Sequence, residues 1–160
     1  MKILGIDPGL NNIGWALLEE THKGQINYLI SGKITTRPAD NITIRLASIF
    51  SNLSSVIVEH KPDIASLEET FINLNPRSSM ALSFARGSIL CCMGLNNIPT
   101  LEFAPNTIKK TIVGNGKADK SQVMKMLKFV MPNASFESSD EADAIAIAYT
   151  GLILRKTDLL

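Results

Sequence analysis

The stretch Ser138-Ser139-Asp140-Glu141-Ala142-Asp143-Ala144-Ile145-Ala146-Ile147-Ala148 opens with three acids and then turns apolar. Its spacing predicts a helix starting at Ser138, with Ser138 and Glu141 as a capping box and the acids favoured in the first turn by the helix dipole. Capping does not account for Asp143. That acid lies a full turn in and shares a face with Asp140, and the same face runs on through Ile147 and Leu154. Two carboxylates at the head of an apolar stripe read as a site at the edge of a core. Two more acids close predicted strands: Asp7 ends the first, and Glu68 or Glu69 ends the fourth. Neighbouring strand residues point to opposite faces, so periodicity leaves that choice open. Four carboxylates at one place repel one another and stay ionised together only around positive charge. All-oxygen donors without Cys or His suit Mg²⁺ or Mn²⁺. Two such ions, about 3.5–4 Å apart, activate a water and stabilise the leaving oxygen in phosphodiester hydrolysis.

The elements that must carry these acids can be read from the punctuation. Residues 2–7 form a strand ended by Pro8-Gly9, and residues 13–19 and 26–35 continue it as an antiparallel meander turned at Gly24. A helix over about 41–59 carries Ile42, Leu46, Ile49, Leu53 and Val56 at spacings of three and four, and Lys61-Pro62 stops it. A strand over 64–69, a loop around Asn73 to Pro76, a helix over 78–95 and a short strand over 99–103 follow. Two lysine-bearing helical stretches joined by Gly114-Asn115-Gly116 precede the last helix. Meander first and alternation afterwards predict an α/β fold, a mixed sheet with helices on both faces, in a single domain over residues 1–160. A right-handed crossover sets the first and fourth strands side by side and brings their terminal acids toward Asp140 and Asp143.

With 45% hydrophobic residues in 160, the chain can bury a core without disulfides. Its N-terminal apolar run is too short for a signal peptide, and no stretch approaches about 18 uninterrupted apolar residues, which points to the cytoplasm. Cys91 and Cys92 are adjacent, so they cannot form an ordinary disulfide with each other, and no zinc spacing is present. His22 and His60 are isolated and carry no catalytic assignment. The net charge of +1 conceals a segregation. Between Pro105 and Lys128 stand Lys109, Lys110, Lys117, Lys120, Lys125 and Lys128 against the single acid Asp119, whereas residues 134–143 carry four acids and no base. A basic surface beside an acidic pocket fits an enzyme that holds a polyphosphate with lysines and divalent ions with carboxylates.

Gly5-Ile6-Asp7-Pro8-Gly9, Leu67-Glu68-Glu69-Thr70-Phe71, Ala85-Arg86-Gly87, the run Lys109 to Gly116 with Lys120-Ser121-Gln122, and Asp140-Glu141-Ala142-Asp143-Ala144 follow one another in an order and spacing that resembles the RuvC family of Holliday junction resolvases. The resemblance implies a ribonuclease-H-like fold on a mixed five-stranded sheet. It also implies a homodimer and Mg²⁺-dependent paired nicking of four-way junction DNA in homologous recombination and repair. The family's acidic quartet maps onto Asp7, Glu68, Asp140 and Asp143 as catalytic residues and metal ligands, which selects Glu68 over Glu69. Two Mg²⁺ per site are implied, with Mn²⁺ able to substitute, and so is work alongside the RuvA and RuvB branch-migration complex. Phe71 matches an aromatic beside the site that contacts junction bases. Lys109 and Lys120 match positions that bind DNA backbone; Arg77, Lys110 and Lys117 join them on charge and location alone. The helix over 78–95, rich in Met80, Leu82, Phe84, Ile89, Leu90 and Met93, is implied at the dimer interface. Rival readings are an actin-like ATPase lobe, which the length and the lack of a GxxxxGK[ST] loop oppose, a related nuclease on another substrate, and a junction-binding protein without catalysis.

Overall fold

A strand with four consecutive buried residues, Ile3 to Ile6, has no solvent face and must lie in the middle of a sheet. This is β1 (Lys2–Asp7). In the computed structural model, which describes residues 1–70 and 76–155, it pairs antiparallel with β2 (Asn12–Glu20) and parallel with β4 (Ile64–Glu68). β3 (Ile26–Thr35) extends the sheet antiparallel beyond β2, and β5 (Thr100–Phe103) extends it parallel beyond β4. The order is therefore β3-β2-β1-β4-β5, with the crossovers made by α1 (Ile42–His60) and α2 (Pro76–Leu95). α3 (Pro105–Val113), α4 (Lys120–Val130) and α5 (Ser139–Leu154) follow. The expected mixed five-stranded sheet is present, and most predicted boundaries lie within a residue of the observed ones. α2 starts two residues before the expected Ser78, on Pro76, whose fixed φ suits a first helical turn. Phe71 lies outside the described residues.

Strand alternation sorts the core into two layers. Ile3, Ala16 and Leu18 face α3, α4 and α5, while Leu4, Ile6, Ile13 and Leu17 face α1 and α2. α1 ends at Lys61, which adopts a left-handed conformation and donates its backbone N–H to the Ile57 carbonyl before Pro62. α1 and α2 are each long and apolar enough by composition to cross a membrane, with a mean hydropathy of 1.3. Each nevertheless contributes buried residues to the layer beneath the sheet, Ile49 and Leu53 from α1 and Ile89 and Cys92 from α2.

α5 is the most deeply buried helix, enclosed from Glu141 through Leu152 except at Asp143 and Tyr149. It can lie this close to the sheet because the strands beneath it carry no side chain at two crossing points. A Cβ on Gly5 would come within 2.2 Å of the Ala144 carbonyl oxygen, and one on Gly14 within 1.9 Å of the Asp140 carbonyl oxygen. Ser66 of β4 donates a buried hydrogen bond to the Ile147 carbonyl at 2.9 Å. The sheet thus holds α5 along its length, and its acidic first turn comes to rest at the ends of β1 and β2.

Candidate active site

In the β1–β4 ladder Ile6 lies opposite Leu67, so Asp7 and Glu68 emerge together at the same sheet end. Asp7 also pairs with Gly14, against which the Asp140 carbonyl packs. Three chain segments distant in sequence therefore deliver Asp7, Glu68, Asp140 and Asp143 to one place. Their proximity is felt electrostatically. Burial, and after it the negative charges of Asp143, Glu68 and Asp140, push Asp7 up to about 8, and Lys120 opposes the rise. Glu68 is also raised, chiefly by burial and then by Asp143, with Lys109 and Lys120 pulling the other way. Glu68 lines a cleft of about 220 Å³ together with the charged Lys109, Lys120 and Asp143 and the apolar Ile108, Val123 and Ile147. Glu69 does not line it; its backbone N–H instead continues the ladder to the Phe103 carbonyl at 2.9 Å.

The basic residues divide. Lys120 donates to Asp143 Oδ2 at 2.7 Å, and that hydrogen bond is the first cause of the raised pKa of its ammonium. The lone acid of the basic run, Asp119, explains why Lys120 is so placed. Asp119 caps α4 in a reciprocal box, accepting from the Gln122 N–H at 2.9 Å while its own N–H donates to Gln122 Oε1 at 2.9 Å. Lys120 is then the first residue of α4, at the edge of the cleft. Lys110 turns elsewhere, to a shallow hollow with Thr107, Thr111, Ile153 and Leu154. Lys117 sits exposed in the turn before α4, and Arg77 lies exposed in the first turn of α2. Of the five basic candidates, Lys109 and Lys120 line the cleft with Glu68 and Asp143.

Three residues given no part in the site by sequence, Arg45 not singled out at all, hold the acid-bearing segments. Arg45 of α1 is buried and donates to Thr36 Oγ1 at 2.9 Å, to the Leu10 carbonyl at 3.1 Å and to Asn11 Oδ1, which secures the turn after Asp7. Arg86 of α2 donates to the Glu68 carbonyl at 2.6 Å and pairs with Glu102 of β5. Glu141 does not complete the expected capping box. Ser138 Oγ accepts the Glu141 N–H at 3.3 Å as a cap should, but the Glu141 carboxylate reaches Ser138 Oγ and Ser31 Oγ of β3 instead of the Ser138 backbone. His60 packs its ring on Trp15 at 5.7 Å, Cys92 is buried and Cys91 exposed.

As the side chains stand, no three His, Cys, Asp or Glu residues among those described converge closely enough to hold one ion; Asp143 is engaged with Lys120. The donor chemistry nonetheless fits a hard divalent cation. Every donor is a carboxylate oxygen, and Asp7 retains a proton toward pH 8 because its burial and its acidic neighbours are not offset by enough positive charge.

The family model for crossover junction endodeoxyribonuclease RuvC matches residues 3–151. The crossover junction endodeoxyribonuclease RuvC of Rickettsia typhi (strain ATCC VR-144 / Wilmington) is 47% identical over 157 residues, covering 98% of this chain and 99% of its own length. That of Rickettsia massiliae (strain Mtu5) is 47% identical over 156 residues, covering 97% and 99%. Among solved structures, Thermus thermophilus RuvC in complex with Holliday junction substrate superposes with a TM-score of 0.90 at 23% identity, over 99% of this chain and 96% of that one. The yeast mitochondrial Holliday junction resolvase Ydc2 shares the fold at a TM-score of 0.66 and 15% identity, over 94% and 77%.

The raised Asp7 carries a sign that can be measured. Between its ordinary value of 3.8 and about 8 the folded protein keeps a proton that the unfolded chain has lost, so stability falls as pH rises through that window. The metal-free protein should unfold at a higher temperature at pH 5 than at pH 8, and Asp7→Asn should flatten that difference. Equal slopes for the two proteins would place the linkage on other groups.

Proposed function

The chain belongs to the RuvC family of crossover junction endodeoxyribonucleases, and from that membership we propose that it resolves four-way DNA junctions by paired symmetric nicks, in homologous recombination and repair in the cytoplasm. The observation that carries this reading is the convergence of Asp7, Glu68, Asp140 and Asp143 beside Lys109 and Lys120 at one sheet end. Asp7, Glu68, Asp140 and Asp143 would hold two divalent ions, Mg²⁺ with Mn²⁺ as a substitute. Such ions, when bound, let the four carboxylates ionise together and polarise both the attacking water and the departing oxygen.

The chain's own residues orient the substrate. Lys120 holds Asp143 and stands within the cleft, so an incoming phosphate competes for its ammonium, and exchanging one oxygen partner for another leaves Asp143 available as a ligand. Lys109 flanks the same path and takes adjacent backbone charge; Arg77, Lys110 and Lys117 are assigned, in this reading, to the flanking arms. Phe71, three positions after Glu68 in the chain, is assigned to the junction bases. Water adds across the phosphodiester: its oxygen bonds to phosphorus as the bond to the 3′ oxygen breaks, leaving a 5′-phosphate and a 3′-hydroxyl.

A four-way junction is two-fold, so two identical subunits bring two sites to symmetric strands. α2 supports a homodimer. From Met80 onward its exposed face carries Met80, Ser83, Phe84, Gly87, Cys91, Gly94 and Leu95 without a charge. The RuvA and RuvB branch-migration complex is the further partner this reading assigns.

The first test is cleavage of a mobile four-way junction in Mg²⁺, with matched linear duplex and RNA/DNA hybrid as controls. Paired symmetric nicks in the junction alone are expected, and Asp7→Asn should lower the rate by at least about 10³-fold while junction binding persists, a loss of roughly 4 kcal/mol of transition-state stabilisation. Cutting of the duplex or hybrid instead would move the activity to another nuclease of the fold. Gly87→Glu has open space around the new side chain; it should sediment as a monomer and make single, uncoordinated nicks, whereas a dimeric Gly87→Glu would take the interface off α2. Lys109→Ala should reduce the slope of log affinity against log salt by about 0.9 for each phosphate that is no longer neutralised. An unchanged slope would remove Lys109 from the DNA surface.

A further inference from the structure

We propose that Glu141 is a positioning residue: by anchoring the first turn of α5 to β3 it sets the direction in which Asp140 and Asp143 face, and so the affinity of the site for divalent ions. The inference rests on the reading that those two acids act in the site. Glu141 is only 8% exposed, and a carboxylate withdrawn from water is costly unless its oxygens are hydrogen-bonded. Both are. Ser31 Oγ donates to Oε2 at 2.8 Å and Ser138 Oγ donates to Oε1 at 3.0 Å. Ser31 lies 110 positions earlier in the chain, so the bond joins the sheet to the last helix.

The anchor is extended on the β3 side. Tyr28 donates its hydroxyl to the Ser135 carbonyl at 2.6 Å and lies 3.0 Å from Ser31 Oγ. The segment leading into α5 is therefore held at Ser135 and again at Glu141. These groups line a polar hollow separate from the acidic cleft, and neither Asp143 nor Lys120 borders it. The helix itself does not need this arrangement, because Ser138 already caps the Glu141 N–H.

Helical geometry supplies the consequence. At 3.6 residues per turn, Asp143 points about 200° away from Glu141, and Asp140 lies about 60° from Asp143. Pulling Glu141 toward β3 therefore turns Asp143 to nearly the opposite side, where it meets Lys120, and leaves Asp140 about 100° round from Glu141, on the flank that Asp143 also faces. The Gly14 contact sets how closely α5 approaches the sheet, and the Glu141 contact sets how the helix is rotated about its axis.

The test uses the full chain and three variants, Glu141→Ala, Glu141→Gln and Ser31→Ala. Each is measured by Mn²⁺ binding to the protein alone, by amide exchange over residues 140–143, by junction affinity and by single-turnover cleavage. Glu141→Ala should weaken Mn²⁺ binding and slow cleavage by about 10- to 100-fold, the range for residues that orient metal ligands, with faster amide exchange and junction affinity within about twofold of wild type. Ser31→Ala should move the same readouts in the same direction by less. Glu141→Gln should restore them, because an amide accepts from one serine hydroxyl and donates to the other. Wild-type Mn²⁺ binding in a folded Glu141→Ala protein would overturn the proposal. So would a folded Glu141→Gln protein as defective as Asp143→Asn, since the carboxylate would then act by its own charge. Should Glu141→Ala fail to fold, Ser31→Ala decides alone, and wild-type values for it overturn the proposal. A wild-type protein that cuts no junction, while Glu141→Ala still weakens its Mn²⁺ binding, would fail the proposed function and leave the positioning role standing.

Discussion

Four carboxylates brought to one sheet end repel one another, and the rest of the structure is organised so that they stay there. The repulsion is visible in Asp7, whose proton affinity is raised first by burial and then by the three other acids. Each acid-bearing segment is correspondingly fastened by a charged side chain, two reaching in from other helices and one reaching out from the segment itself. Arg45 secures the turn after Asp7, Arg86 the backbone at Glu68, and Glu141 the helix start that carries Asp140 and Asp143. Hydrogen bonds to charged groups are worth about 1.5–3 kcal/mol each, roughly twice an ordinary neutral one, which suits a site that must hold its shape against its own charges.

Close approach is the second part of the design. α5 could not place its acids beside Asp7 if β1 and β2 carried side chains where it crosses them, and Gly5 and Gly14 remove that obstacle. Small residues on the helix, Ala144 and Ala148, meet Gly5 from the other side, and the backbone of Asp140 and Glu141 meets Gly14. Specific backbone-to-backbone contact here replaces the thicker layer of branched side chains found beneath α1, where Ile49 and Leu53 fill the space.

What could be read from sequence was whatever repeats locally. The strand alternation, the helical spacing of Ile49 and Leu53 and the i, i+3 relation of Asp140 and Asp143 are all contained within a few residues, and the fold and the acidic helix followed from them. The choice between Glu68 and Glu69 was not legible from periodicity, because it depends on which sheet face later receives α5. Nor was Arg45, which sits in an amphipathic helix as an ordinary polar residue until the turn 35 positions earlier folds against it. Glu141 was legible only as a local cap. Its partner Ser31 is a small polar residue on a half-exposed strand, with nothing in its surroundings to mark it. Lys120 was legible as a DNA-facing base by resemblance, but not as the partner of Asp143, which lies 23 residues away.

The crossing of α5 over β1 and β2 also fixes an order of events during synthesis. The strands that bear Asp7 emerge from the ribosome first, and the helix that covers them and supplies the remaining aspartates emerges after every other described element. Domains fold as their chains are made, at about 5–20 residues per second, so several seconds separate the two halves of the site. During that interval Gly5 and Gly14 have no helix against them and Asp7 has no acidic neighbours from α5. The four carboxylates therefore cannot come together at this sheet end until α5 has been made, so assembly of the cluster waits on the last described helix.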